Sequence, residues 1–176
     1  AVKSIGNAIY CLATHQSQWE MLRSKSSLVP AAYNEALRFD SPSQTIARTT
    51  RRDVVVDGYR LPAHVKVAIL FGSANHDELV FENSRDFRID RTMSRPLSFG
   101  SGVHACMGQR LARRLGCAVI AALVRHAKSI ALAEPPERKI NSVLRGFSKL
   151  PIKTISADAD IPDHSDSLLL AEVAPP

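Results

Sequence analysis

The residues that indicate chemistry most clearly form a short loop around one cysteine, Cys106. The loop runs from Phe99 to Gly108 and reads Phe-Gly-Ser-Gly-Val-His-Ala-Cys-Met-Gly. Apolar residues follow it at helical spacing, which places the thiol at the start of a predicted helix. They are Leu111, Leu115, Val119, Ala122 and Leu123. The free N–H groups and the dipole at a helix start favour thiolate over thiol, and such a thiolate suits the axial position of a haem iron.

The neighbours of the cysteine have residue types that fit the same task. Gly100 and Gly102 permit tight or left-handed turns, and Gly108 lets a flat macrocycle approach the backbone closely. We expect Phe99 to pack beside the sulfur and limit the access of water. His104, two residues before the cysteine, has a ring N–H that suits a haem propionate.

The whole pattern, Phe-x-x-Gly-x-His-x-Cys-x-Gly followed by Leu-Ala-Arg at 111–113, resembles the haem-ligand signature of the cytochrome P-450 superfamily. The resemblance covers about residues 1–152 and matches the C-terminal part of that fold. It implies that Cys106 is the catalytic axial ligand of haem b. It also implies a monooxygenase that puts one oxygen atom of dioxygen into an organic substrate and releases the other as water. The remaining cysteines, Cys11 and Cys117, lie in apolar helical patterns and are expected to be inert.

The resemblance further implies a structural network behind the loop. Glu35 and Arg38 lie three residues apart on a predicted helix, ahead of a Ser-Pro turn and an extended segment. Residues 20–23 have the same Glu-x-x-Arg spacing, so position along the chain decides between the two pairs. The third member is Arg91, in a segment where Ile89 stands in place of the family's usual proline. Because removing one member of a buried network of this kind is costly, we expect these residues to hold the loop still.

Five other positions are assigned by the same resemblance. Thr45, Ile46, Val143 and Leu144 occupy stretches that reach the substrate in the family, and their small or apolar side chains indicate a small apolar organic substrate. Arg48 falls where family members place an arginine against a haem propionate, and a guanidinium matches carboxylate geometry well. Taken without Cys106, Arg48 would be read as a surface charge on a strand.

The elements that must position these residues are of mixed type. Helical patterns at 1–14, 17–23 and 29–39 precede strand-like runs between 45 and 70, and Asp57-Gly58 between two such runs indicates a hairpin. We predict an α+β fold, mainly helical, with a small antiparallel sheet: the C-terminal half of the cytochrome P-450 fold. Residues 1–153 would form its haem-binding part, and 154–176 a disordered tail.

Composition places further bounds on function. The chain has 176 residues, of which 45% are hydrophobic, and this suffices for one domain with a core but not for a whole enzyme of the family. Three cysteines without paired spacing favour a cytoplasmic protein. No signal peptide or membrane anchor is expected, because the longest apolar run is too short to cross a bilayer.

The net charge of +6 bears on partners. Basic residues cluster after the cysteine, at Arg110, Arg113, Arg114, Arg125 and Lys128. Such charge commonly marks a solvated helix face. In the resembled family this side docks an acidic electron donor of the ferredoxin or flavodoxin type, which complementary charge would steer. With only 6% aromatic residues and no recognised binding module, nucleic acid is not an expected partner.

Two alternatives remain open at this stage. The sequence starts after the family's distal-helix residues, a carboxylate and a hydroxyl that help to deliver protons to dioxygen. The alternatives to the monooxygenase that the resemblance implies are a truncated, non-catalytic remnant that binds haem weakly or not at all, and a chain whose missing half is supplied by a separate polypeptide. A half-site would leave a large hydrophobic patch exposed.

Overall fold

Helices dominate the first part of the computed structural model, which describes residues 1–92 and 96–157. Helix α1 is Val2–Thr14, α2 is Gln16–Ser24 and α3 is Val29–Phe39. Pro30 stands in the first turn of α3, where its missing N–H would have no partner in the helix. A four-residue helix, α4, covers Phe71–Ala74, and the long helix α5 covers Gln109–His126. The three helices predicted ahead of the strands are confirmed to within one or two residues.

Every strand in the described residues pairs in antiparallel fashion with one partner. The strands are β1 (Ile46–Thr49), β2 (Val54–Val56), β3 (Tyr59–Leu61), β4 (Lys66–Ile69), β5 (Ala127–Leu132), β6 (Glu137–Arg138), β7 (Phe147–Lys149) and β8 (Ile152–Ser156). They form the pairs β1–β4, β2–β3, β5–β8 and β6–β7. The predicted antiparallel content is therefore confirmed, and it is divided among four two-stranded sheets.

The predicted hairpin joins β2 to β3. Val54 lies opposite Leu61 and Val56 opposite Tyr59, which leaves Asp57 and Gly58 as the two turn residues. Their φ angles are +48° and +80°, so both central residues are left-handed, as a type I′ turn requires. The Asp-Gly pair was the sequence signal for this geometry.

The hydrophobic core lies between α1, α2, α3, α5 and β5. Its largest fully buried apolar side chains include Trp19, Leu12, Leu22, Leu37, Ile120 and Ile130. Helices α3 and α5 approach each other closely at Gly116, where an added Cβ would lie 2.2 Å from the ring of Tyr33. The Tyr33 hydroxyl in turn lies 2.7 Å from the Ser4 hydroxyl of α1. These contacts fix the position of α5 and hence of the loop that precedes it.

Most of the apolar stripe that predicted α5 faces outward, although the helix itself is confirmed and Leu123 of the stripe packs against the core. Leu111, Leu115 and Val119 are 63%, 45% and 36% exposed. The buried side of α5 is formed by other residues, Gly116, Ile120 and Val124. The helix thus has apolar side chains on two faces, and the rest of the described residues cover one of them.

The predicted boundary at residue 153 is three residues too early. Strand β8 continues to Ser156, with Thr154 opposite Ile130 and Ile155 opposite Ser129. These pairings are with residues far away in sequence, so the local composition of the tail does not reveal them. The rest of the predicted tail, 158–176, lies outside the described residues. Within the described ranges, no helix combines the length and apolar character that a bilayer crossing requires.

Candidate functional site

Cys106 lies in a tightly folded segment that leads into α5. We call residues 96–108 the cysteine loop, which adds residues 96–98 to the loop predicted from the sequence. It contains two 3-10 turns, Leu97–Phe99 and Gly102–His104. The backbone N–H of Cys106 donates to the carbonyl of Phe99 at 2.8 Å, and the Cys106 carbonyl accepts from the N–H of Gln109 at 3.2 Å. The thiol therefore sits on a closed turn, three residues before the helix begins.

Three glycines shape this loop. Gly100 and Gly102 have φ angles of +72° and +59°, in the left-handed region that favours glycine. A Cβ on Gly100 would also lie only 3.0 Å from the carbonyl oxygen of His104. At Gly108, the nearest atom to an added Cβ would be the Cys106 sulfur at 3.9 Å. The absence of a side chain there leaves the space beside the sulfur open.

The surroundings of Cys106 distinguish it from the other two thiols. Cys106 is exposed, whereas Cys11 is buried and Cys117 is partly buried. Desolvation raises the pKa of Cys11 well above its ordinary value and that of Cys117 to about 11. Both are therefore neutral thiols near pH 7, as the sequence predicts for inert cysteines.

Solvent-exposed apolar side chains occur in the cysteine loop and just after it. Val103 and Met107 are 97% and 100% exposed, and Leu111 in the first turn of α5 is 63% exposed. Soluble chains seldom leave such a patch uncovered without a ligand or partner for it. An exposed sulfur, an open position at Gly108 and this apolar surface together fit a flat, apolar ligand such as haem.

Phe99 and Arg113 connect the loop to the helices behind it. Phe99 is half-buried and packs against the core, with the Arg113 guanidinium 4.9 Å from its ring centroid. Arg113 Nε donates to Oδ1 of Asn34 on α3 at 3.2 Å. Its inclusion in the solvated basic surface was therefore wrong, because its place on α5 turns it toward α3. Arg110, Arg114 and Lys128 are exposed, as expected.

The predicted network of Glu35, Arg38 and Arg91 is assembled in the structure. Arg38 donates through Nε and Nη2 to the two carboxylate oxygens of Glu35, both at 2.8 Å. Arg91 Nε reaches Glu35 Oε1 at 3.3 Å. Glu35 and Arg38 are fully buried, and the backbone N–H of Arg88 adds a further bond to Glu35 at 3.0 Å. The alternative pair at residues 20–23 takes no part in these contacts.

Ile89 has a role of its own at the position where the family's proline was expected. It is buried, and its backbone N–H donates to Gln18 Oε1 at 2.9 Å. A proline has no N–H and could not make this bond. The bond ties the segment to α2, so Arg91 is held near Glu35 without the fixed proline dihedral.

Asn75 connects several of these groups, a role that the sequence analysis did not assign to it. Its Oδ1 accepts from the N–H of Leu97 at 2.8 Å, and its Nδ2 donates to the hydroxyls of Ser98 and Ser41 at 3.0 and 2.7 Å. The Asn75 carbonyl accepts from Arg38 Nη1 at 2.8 Å. One buried asparagine thus joins the start of the cysteine loop to the network. A single asparagine after a short helix gives no periodic signal by which it could be found.

The residues predicted to face the substrate come from two segments that lie side by side. The N–H of Gln44 donates to the carbonyl of Val143 at 2.8 Å, and Ser43 forms an isolated bridge with Leu144. Val143 and Leu144 are 45% and 38% exposed. Arg145, next in the chain, pairs with Asp40 at 2.6 Å and fixes this turn to the end of α3. Thr45 and Ile46 follow Gln44 directly and are partly buried.

The two residues expected to contact the propionates lie on different elements. His104 ends the second 3-10 turn of the cysteine loop and is exposed. Arg48 lies on β1, opposite Val67 of β4, and its Nη1 donates to the Ala47 carbonyl at 2.9 Å. Their roles toward haem stay predictions.

Comparison with known proteins places this geometry in a family. The cytochrome P450 family model matches residues 11–153. The chain belongs to the cytochrome P-450 family. Cytochrome p450 CYP199A2 of Rhodopseudomonas palustris is 42% identical over 156 residues, which is 89% of this chain and 38% of that protein. The beta-dihydromenaquinone-9 omega-hydroxylase of Mycobacterium tuberculosis is 38% identical over 148 residues, covering 84% of this chain and 30% of that protein.

Solved cytochrome P-450 structures confirm the predicted fold. CYP109E1 from Bacillus megaterium, in complex with corticosterone, aligns with a TM-score of 0.83 at 30% identity over 86% of this chain and 42% of its own. P450BioI, in complex with an acyl carrier protein ligated to hexadec-9Z-enoic acid, aligns with a TM-score of 0.85 at 33% identity over 88% of this chain and 40% of its own. The chain thus spans less than half the length of these relatives.

Proposed function

We propose that this chain is the thiolate-bearing part of a haem monooxygenase, with Cys106 as the axial ligand of haem b. The observation that carries the proposal is the presentation of Cys106. It is an exposed thiol on a glycine-hinged loop, bordered by bare apolar side chains and open at Gly108. When bound, the haem supplies the activation of dioxygen that puts one oxygen atom into the substrate and releases the other as water.

The remaining residues bind and orient rather than react. The side chains of Val103, Met107 and Leu111 offer apolar surface to the macrocycle, and Phe99 limits the access of water to the sulfur. If haem is bound, His104 would donate its ring N–H to a propionate, and the guanidinium of Arg48 would pair with a propionate. The buried network of Glu35, Arg38 and Arg91 holds the loop in place behind the sulfur.

A small apolar organic molecule is the proposed substrate. Thr45, Ile46, Val143 and Leu144 are small or apolar and share one region of the fold. Two cytochrome P-450 neighbours are described in complex with corticosterone and with a long-chain acyl group on its carrier protein. Both of those ligands are largely hydrocarbon, in keeping with the proposed substrate class.

An acidic ferredoxin- or flavodoxin-type protein is the proposed electron donor. Arg110, Arg114 and Lys128 are exposed on or directly after α5, on the polypeptide that bears the thiolate. Complementary charge would steer an acidic donor toward this side. A cytoplasmic location is also proposed, on the ground that all three cysteines are free.

A non-catalytic half of such an enzyme is the second candidate. The exposed stripe of Leu111, Leu115 and Val119 favours it, because a complete site would be expected to cover these residues. In this case Cys106 keeps the geometry of a ligand, while a further polypeptide segment has to close the site.

Titration with ferric haem tests the proposal. The unmodified chain should take up one haem with a saturable change in the Soret band, and Cys117→Ala, which removes a partly buried thiol, should do the same. Cys106→Ala should lose the thiolate spectrum. Equal spectra for Cys106→Ala and the unmodified chain would refute the assignment. Failure of the unmodified chain to retain stoichiometric haem would favour the second candidate.

A further inference from the structure

The two hydrogen bonds that link Asn75 to the cysteine loop fall at the start of that loop. One is the Leu97 N–H bond to Oδ1 and the other is the Nδ2 bond to the Ser98 hydroxyl. The Ser98 hydroxyl donates onward to the carbonyl of Leu37 in α3 at 2.6 Å. Asn75 and Ser98 are both buried. Hydrogen bonds therefore join the first turn of the loop to α3 through a buried polar cluster, which consists of Asn75, Ser98 and Ser41.

This cluster depends on a carboxamide. Asn75 uses one acceptor, for Leu97, and two N–H donors, for Ser98 and Ser41, all from a single planar group. A carboxylate would supply the acceptor and lose both donors, and an alanine would lose all three bonds. The cost of such a loss is high because partly satisfied buried networks are unfavourable.

The cluster reaches the thiol by a short route through the backbone. Ser98 is followed by Phe99, whose carbonyl accepts the N–H of Cys106 at 2.8 Å. A shift of the turn at Leu97–Phe99 would move that carbonyl and open the bond that closes the loop. The position of the sulfur is thus set by residues that do not touch it.

We infer that Asn75 is a positioning residue for Cys106, acting through Leu97 and Ser98. The value of that position for haem ligation rests on the proposed function. The positioning itself is a property of this chain and holds without haem. Asn7 provides a matched control, since it is also buried and donates Nδ2 to the carbonyl of Asp40 at 2.7 Å, outside the cysteine loop.

Amide hydrogen exchange of the haem-free chain, resolved by residue, tests the inference. Asn75→Ala should speed exchange of the Leu97 and Cys106 amides by about tenfold or more, given the loss of three buried bonds. Asn7→Ala should leave these two amides at their original rates, although it removes a comparable buried side chain. Ser98→Ala keeps Asn75 and should give a smaller increase in the exchange rates of these two amides. If Asn75→Ala does not fold, the Ser98→Ala variant tests the inference in its place.

Carbon monoxide spectra of the haem-loaded, reduced chain give a second measurement. Asn75→Ala should lower the fraction with the red-shifted Soret band of thiolate ligation, and Asn7→Ala should not. Equal effects of the two variants on loop exchange, or unchanged exchange in both Asn75→Ala and Ser98→Ala, would overturn the inference. If the unmodified chain binds no haem, the proposed function fails while the exchange comparison still decides the role of Asn75.

Discussion

Arg38→Met is the perturbation that most sharply tests how the cysteine loop is supported. Arg38 is fully buried and donates to both oxygens of Glu35 and to the carbonyls of Asn75 and Ser84. Methionine fills much of the same space but donates to none of them. The Glu35 carboxylate would then stay buried, with Arg91 as its remaining cationic partner at 3.3 Å.

The expected loss of stability follows from this burial. Breaking a buried ion pair by removing one partner costs about 3–5 kcal/mol. A domain of this size has a free energy of unfolding of about 5–15 kcal/mol, so the variant should lose a large part of it. With an m-value of about 2 kcal/mol per M, the urea midpoint should fall by about 2 M. A variant already unfolded in water would meet the same expectation.

The assay is urea unfolding followed by far-UV circular dichroism, with Arg60→Met as the control. Arg60 pairs with Asp53 on the surface, where the two side chains are 76% and 49% exposed. Solvent screens such a pair, so the control should not shift the midpoint beyond error. Similar small shifts for both variants, with unchanged m-values, would refute the view that the buried network supports the loop.

Two further predictions concern packing and thiol chemistry. Gly116→Ala should destabilise the chain by about 1–3 kcal/mol, because its Cβ would lie 2.2 Å from the Tyr33 ring. The Cβ of Gly6→Ala in α1 would meet open space, so this variant should stabilise the chain by about 0.5–1 kcal/mol. Urea unfolding measures both variants, and a change of the same sign in their free energies of unfolding would contradict this account. Cys106 should react with iodoacetamide at pH 8 in the folded chain. Cys117 should not react, since burial raises its pKa to about 11. Mass spectrometry of the labelled peptides measures both sites, and rapid labelling of Cys117 would contradict this expectation.

The sequence predicted the cysteine loop well because its determinants are local. Gly100 and Gly102 adopt positive φ angles, which glycine permits at little steric cost. The hairpin at Asp57-Gly58 was predictable for the same reason. Glu35 and Arg38 needed more than spacing, because a second Glu-x-x-Arg segment was present and only its order along the chain ruled it out.

Features that depend on distant residues were not predictable. Helical periodicity located α5 but did not show which of its two apolar faces, that of Leu111 or that of Ile120, is covered. The sequence analysis grouped Arg113 with the surface charges, because its contact with Asn34 of α3 depends on how the two helices pack. The extension of β8 to Ser156 depends on its pairing with β5. Asn75 belongs to the same class, since its partners lie 22 to 37 residues away.

The most direct test of the central claim is the spectrum of the reduced chain with haem and carbon monoxide. Ligation by the Cys106 thiolate predicts the red-shifted Soret band, present in the unmodified chain and in Cys117→Ala and absent in Cys106→Ala. A stoichiometric haem complex whose band is unshifted, or whose shifted band survives in Cys106→Ala, would contradict the claim that this sulfur binds the iron.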